Sequence, residues 1–272
     1  MFELNDWQNK AAQQRFIDRA LIAGCAVAAV DGATFAVHNP ATNQLLANVA
    51  ACGAADVELA VQAARQTFEG GAWSRCAPSE RKEVLLKLSE LILANRDELA
   101  LLDSLSMGKP VMDAWNIDVP GAAGVFRWYA ESIDKLYDQV APSAPNVLAT
   151  ITREALGVVA AVVPWNFPLD MAAWKLAPAL AAGNSVILKP AEQSPFSALR
   201  LAELALEAGI PAGVFNVLPG LGESTGKALG LHMDVDCLAF TGSTEVGRYF
   251  MAYSAHSNLN QIWLQCGRKS AN

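Results

Sequence analysis

Four short stretches of this chain gather side chains that could bind or activate a small molecule, and each follows a run of apolar residues. In Pro164-Trp165-Asn166-Phe167-Pro168 two prolines stiffen the backbone around an amide. A rigidly held amide can donate a hydrogen bond to an oxygen that gains negative charge during a reaction; an asparagine here could also simply tighten a turn. Lys189-Pro190-Ala191-Glu192 sets an ammonium near a carboxylate. Such a carboxylate can accept from both hydroxyls of a ribose and would repel a 2′-phosphate, favouring NAD over NADP; the plain alternative is a surface salt bridge. The glycine-rich stretch Pro219 to Gly226 superficially resembles a dinucleotide fingerprint. Its glycines are spaced G-x-G-x-x-x-G, however, and no acidic residue follows at the right distance on a later strand. Thr241 to Gly247 reads as a strand end, a tight turn and a helix start. That geometry aims backbone N–H groups at an anion such as pyrophosphate, with the Ser243 hydroxyl as an added donor. An ordinary capped helix would read the same way.

The elements that must position these residues follow from periodicity. From Leu156 onward, β-rich runs at 156–163, 185–189, 214–218, 237–240 and 261–264 alternate with helical segments near 168–182, 195–208, 222–230 and 244–256. This βαβ order predicts an α/β fold with a Rossmann-like parallel sheet. Nearly continuous apolar strands such as Val158-Val159-Ala160-Ala161-Val162-Val163 imply helices on both faces. Ligands of such sheets bind beyond the C-terminal ends of the strands, where the four stretches fall. Upstream, the spacing predicts a helix over 56–69, a longer one from Ser79 to about Ser104, and a helical region over 113–136 interrupted by Pro120 and Gly121.

Composition narrows the function classes. Hydrophobic residues make up 53% of the 272 and charged ones 17%, which excludes a disordered chain. A net charge of -7 gives no electrostatic footprint for nucleic acid or an anionic membrane. Five cysteines, at 25, 52, 76, 237 and 266, form no C-x-x-C pair, and the histidines at 38, 232 and 256 form no ligand cluster, so no metal site is expected. This usage fits reduced thiols in a cytoplasmic protein. The apolar stretch Ala20 to Val30 follows Glu3, Asp6 and Asp18, which spoil the basic leader of a signal peptide.

The combination of Pro-Trp-Asn-Phe-Pro, Lys-Pro-Ala-Glu, Pro-Gly-x-Gly and Phe240-Thr-Gly-Ser-Thr-Glu-Val-Gly247, in that order, closely resembles the aldehyde dehydrogenase superfamily over about residue 30 to the C-terminus. Phrases such as Thr152-Arg153-Glu154 and Trp174-Lys175-Leu176-Ala177-Pro178 look most like its γ-glutamyl-γ-aminobutyraldehyde dehydrogenase branch. The resemblance implies that residues 1–136 and 158–264 form an NAD-binding domain. It implies that 137–157 belong to a small β oligomerisation arm and 265–272 to the start of a catalytic domain. It makes Asn166 the oxyanion-stabilising amide, Lys189 and Glu192 adenosine-ribose contacts, Trp165 and Ser243 pyrophosphate contacts, and Val246 a surface for adenine. Gly222 and Gly226 are grouped with these as cofactor contacts.

The resemblance also has a break. The family's general base opens a Glu-x-Gly-Gly-Lys stretch, which reads here Gln265-Cys266-Gly267-Arg268-Lys269. Glutamine has no carboxylate to take a proton, and Arg268 puts a long cation where little bulk is wanted. The family's nucleophilic cysteine lies downstream of this stretch; Cys266 occupies a small packing position and Cys237 begins a predicted buried strand. The expectation is a truncated, NAD-binding aldehyde dehydrogenase, inactive alone, that would meet an aldehyde only with a complementary C-terminal half. Its expected partners are a second copy or a full-length subunit. A non-catalytic NAD-binding or interaction module and a decayed gene product are the alternatives. Gln265 and Arg268 weigh against a healthy split enzyme; the intact Asn166, Lys189, Glu192 and Ser243 weigh against long decay.

Overall fold

The computed structural model describes residues 4–267. The chain opens with helix α1 (Leu4–Gln13), strands β1 (Ala20–Ile22), β2 (Cys25–Val27), β3 (Thr34–His38) and β4 (Leu45–Ala50), and helix α2 (Ala54–Gly70). Helices α3 (Pro78–Ala94), α4 (Arg96–Met107), α5 (Val111–Asp113) and α6 (Val119–Ser132) follow, then strands β5 (Gln139–Ala141) and β6 (Ala149–Ile151). The alternating region comprises β7 (Val158–Val162), α7 (Pro168–Ala181), β8 (Ser185–Lys189), α8 (Phe196–Ala208), β9 (Phe215–Val217), α9 (Lys227–Leu231), β10 (Cys237–Gly242), α10 (Thr244–Ala255) and β11 (Gln261–Cys266).

One seven-stranded sheet runs in the order β11-β10-β7-β8-β9-β1-β2. Its five later strands are mutually parallel, as the βαβ pattern requires. Two layers of helices enclose it, and the pleat decides which side chain meets which layer. Val158, Ala160 and Val162 of β7 join the cluster built on Val57, Ala60 and Val61 of α2 and Phe250 of α10. Val159 and Ala161 join the opposite cluster, with residues of α3, α4, α6, α7 and α8.

Three expectations change. The sheet is mixed rather than wholly parallel, because the apolar stretch from Ala20 forms the hairpin β1–β2 and adds antiparallel to β9. Its turn needs left-handed backbone at Ala23 (φ 51) and Gly24 (φ 77), and a Cβ on Gly24 would stand 2.9 Å from the Ala212 Cβ. The long helix from Ser79 is two helices: Asn95 leaves helical geometry (φ -101, ψ 24) and its side-chain amide donates to the Leu91 carbonyl at 2.8 Å. Apolar spacing carries on through Asn95, so periodicity alone does not mark this break. Pro120 does not end its helical region. Residues 114–118 widen into a π-turn that absorbs the missing proline N–H, and the helix continues as α6.

The hairpin β5–β6 pairs with neither of the other sheets. It leaves Tyr137, Val140 and Leu148 exposed at 76%, 70% and 78%. No helix among the described residues is long and apolar enough to cross a membrane.

Candidate active site at the C-terminal sheet edge

Because β7, β8, β9, β10 and β11 are parallel, the loops that follow their C-terminal ends open on one edge, and every stretch singled out above lies there. The loop after β7 exposes Trp165 and Asn166. It is held from behind. Lys109 Nζ sits 3.5 Å from the centre of the Phe167 ring, and the Ser194 hydroxyl donates to the Trp165 carbonyl at 3.3 Å. The Leu169 N–H reaches Asp103 Oδ2 at 3.4 Å. The Asn166 amide itself has no hydrogen bond within the described protein, so its donors face outward on a fixed loop.

At the end of β8, Lys189 is only 3% exposed and its ammonium donates to Glu192 Oε2 at 3.3 Å. Burial pushes the Lys189 pKa down, and the Glu192 carboxylate opposes that shift. The surface salt bridge weighed from the sequence is therefore a buried lysine answering to a half-exposed carboxylate, and two of its three N–H donors have no partner among the described residues.

The glycine-rich loop after β9 is clamped by contacts far away in sequence. A Cβ on Gly220 would lie 2.0 Å from Thr225 Oγ1 and 2.9 Å from the Cys52 carbonyl, so no side chain fits there. The buried Thr225 hydroxyl donates to that same carbonyl. Gly222 begins a π-turn over 222–226 and has open space beside it, whereas Gly226 is buried against Phe250. After β10, the Ser243 hydroxyl accepts from the Val246 N–H at 3.2 Å and caps α10. Capping uses its oxygen as acceptor and leaves its hydrogen to donate, so the cap and the anion site are compatible. Val246, on the first turn of α10, is 38% exposed.

On β11 alternation separates two neighbours. Gln265 is exposed and accepts from the Thr241 hydroxyl at 2.9 Å. Cys266 turns to the other face, where its sulfur would lie 2.8 Å from a Cβ on Gly247; it packs strand against helix, as its place in the motif implied. Burial pushes the Cys52 thiol up to about 12 and the Cys237 thiol up to about 11, so both stay protonated and inert. Arg268 and the residues after it lie outside the described residues. Among the described residues no group of His, Cys, Asp and Glu could hold a metal ion.

The aldehyde dehydrogenase family profile matches residues 27–272. The chain belongs to the aldehyde dehydrogenase family. It is 50% identical to the NADP/NAD-dependent aldehyde dehydrogenase PuuC of Escherichia coli, over 98% of this chain and 54% of that protein. Among solved structures, the γ-glutamyl-γ-aminobutyraldehyde dehydrogenase of Burkholderia cenocepacia superposes with a TM-score of 0.97 at 55% identity, covering 99% of this chain and 54% of that one. An indole-3-acetaldehyde dehydrogenase complexed with NAD+ superposes with a TM-score of 0.98 at 52% identity, over 99% and 55% of the two chains. The chain thus spans about half the length of these relatives.

Sequence reasoning missed the acidic side chains beneath the Asn166 loop. Asp103 is 1% exposed, and burial pushes its carboxyl up to about 7. Asp118, 2% exposed, is paired with Lys109. Burial, and then the charge of Asp118, also raise the pKa of Asp170. The available signal was an aspartate at an apolar-periodic place in α4, among Leu99, Leu102 and Ser106; Lys109 read only as part of a helix stop.

Proposed function

We propose that this chain is the cofactor platform of an NAD-dependent aldehyde dehydrogenase and does not oxidise aldehydes by itself. The observation that carries the reading is the buried Lys189 with Glu192 beside it on the same edge as the free Asn166 amide and the start of α10. Lys189 and Glu192 would hold the adenosine ribose, and Trp165, Ser243 and the first turn of α10 the pyrophosphate. Val246, and Gly222 with the turn it opens, border the same space. Bound there, NAD would accept the hydride released in aldehyde oxidation. The Glu192 carboxylate supports NAD over NADP, since a 2′-phosphate would meet a like charge.

Asn166 would polarise an aldehyde oxygen, yet none of the five cysteines supplies a nucleophile at this edge. Gln265 cannot take a proton from water, so a thioester formed by any completing segment would be released slowly. That glutamine also supports a second reading, a non-catalytic NAD-binding module. In either case the exposed hairpin β5–β6 supports assembly with a second copy or a related subunit.

Calorimetric titration of the 272-residue chain with NAD and NADP, beside Glu192→Gln, tests the platform. Saturable NAD binding is expected, weakened roughly 10- to 100-fold by Glu192→Gln, the worth of about one hydrogen bond to a charged acceptor. The same substitution should narrow the preference for NAD over NADP. A folded chain without NAD binding would sink the reading.

A further inference from the structure

We propose that the groove between α6 and α7 recognises a cationic, ammonium-bearing arm of the ligand, with Asp170 as the specificity-determining residue. The inference rests on the aldehyde dehydrogenase reading above only for calling that ligand an aldehyde. The groove, about 410 Å³, is lined by Gly121, Gly124, Val125, Trp128, Tyr129 and Trp174. Its walls are aromatic: Trp128 and Trp174 are 61% and 54% exposed, and Trp128 meets Tyr129 edge-on at 4.7 Å. Two of its lining residues are glycines on α6. Nothing lies within 4 Å of a Cβ placed on Gly124, and one on Gly121 would stand 3.1 Å from Asp170 Oδ1. The Asp170 carboxylate therefore borders the Gly121 end of the groove.

Helical spacing links this groove to the candidate site. Asp170 lies in the first turn of α7, four residues after Asn166, and Trp174 follows four residues later on the same face. A ligand oxygen at Asn166 and a chain running along α7 would bring a remote substituent past Asp170 to Trp174.

Charge selects what that substituent can be. The cation whose charge acts on this carboxylate, Lys109, is paired with the buried Asp118 and leans on the Phe167 ring. Asp170 makes no ion pair among the described residues. Burial and the neighbouring Asp118 raise its pKa, with Lys109 and the Trp174 indole N–H acting against them, as expected of a carboxylate short of positive charge. A carboxylate beside exposed indole faces attracts an ammonium by Coulomb and cation–π terms together and repels an anion.

The test uses the whole chain and three probes of equal carbon count: n-butylammonium, 1-butanol and butyrate. Binding is followed by NMR of the indole N–H signals. Expected are shifts confined to Trp128 and Trp174, an affinity for n-butylammonium roughly tenfold above that for 1-butanol, and no response to butyrate. Asp170→Asn should erase the preference for the ammonium. Equal binding of ammonium and alcohol, shifts at other indoles only, or a preference that survives in Asp170→Asn would overturn the proposal. The probe comparison on the unsubstituted chain stands even where the variant fails to fold. NAD titration of the same sample separates the two readings. NAD binding without ammonium preference removes the groove alone; ammonium preference without NAD binding keeps the groove and removes its aldehyde.

Discussion

Asp103 makes stability depend on pH in a direction opposite to that of most carboxylates. Its side chain is enclosed beneath the Asn166 loop, Oδ1 has no hydrogen-bond partner, Oδ2 receives a long bond from Leu169, and the Ser197 hydroxyl and the Lys109 charge only partly offset its burial. Burial raises the carboxyl from 3.8 to about 7. A raised pKa means that the folded chain keeps a proton the unfolded chain has lost between pH 4 and 7. Stability from this group is therefore full below the unfolded pKa and falls as pH rises to about 7, where it levels off. Three units at about 1.4 kcal/mol each set the scale at roughly 4 kcal/mol, undiminished by solvent screening because the group is enclosed. Asp103→Asn removes the titration while keeping the shape. Urea unfolding of both proteins from pH 5 to 8 should show the wild type losing about 3 kcal/mol relative to the variant over that range. Contributions from Asp170 and other groups largely cancel in the difference. A difference curve flat to within about 1 kcal/mol, or one that rises with pH, would refute the claim that burial of Asp103 outweighs the charge of Lys109 and its hydrogen bonds.

Gly220→Ala forces a methyl into the Thr225 hydroxyl and the Cys52 carbonyl. It should cost roughly 1–3 kcal/mol in chemical denaturation and lower NAD affinity, because the loop must move; an unchanged midpoint would contradict the packing described. Ser243→Ala removes the cap of α10 and should cost about 1 kcal/mol of stability while weakening NAD binding further than that loss of stability explains. Ser243→Thr, which keeps the hydroxyl, should recover both, and calorimetry beside thermal melts would show it.

Much of this architecture was legible because it depends on short-range pattern. Four of the five runs that became parallel strands are too continuous for anything but a sheet covered on both faces, and Val158–Val162 is buried throughout, whereas β11 at the sheet edge alternates exposed and half-buried residues. Asn166, Lys189, Glu192 and Ser243 were singled out because each lies at or just after a strand end, and topology sends those ends to one edge. The hairpin β1–β2 was hidden in the run from Ala20, where no polar alternation marks a strand and the turn falls at Ala23-Gly24. The break at Asn95 was hidden because Leu85, Leu88, Ile92 and Leu99 keep helical spacing across it.

By itself, then, the sequence determined the order of strands and helices, the side chains offered at each strand end, and a glutamine at 265. Those are properties of neighbouring residues and of the two backbone periods. The tertiary structure alone decided that Lys189 is buried, that Gly220 rather than Gly222 is sterically required, and that Asp103, Asp118 and Asp170 gather beneath one loop. Such facts join residues far apart in the chain, as Thr225 and Cys52 are across 173 positions. Burial and charge act through space, so no local pattern announces them.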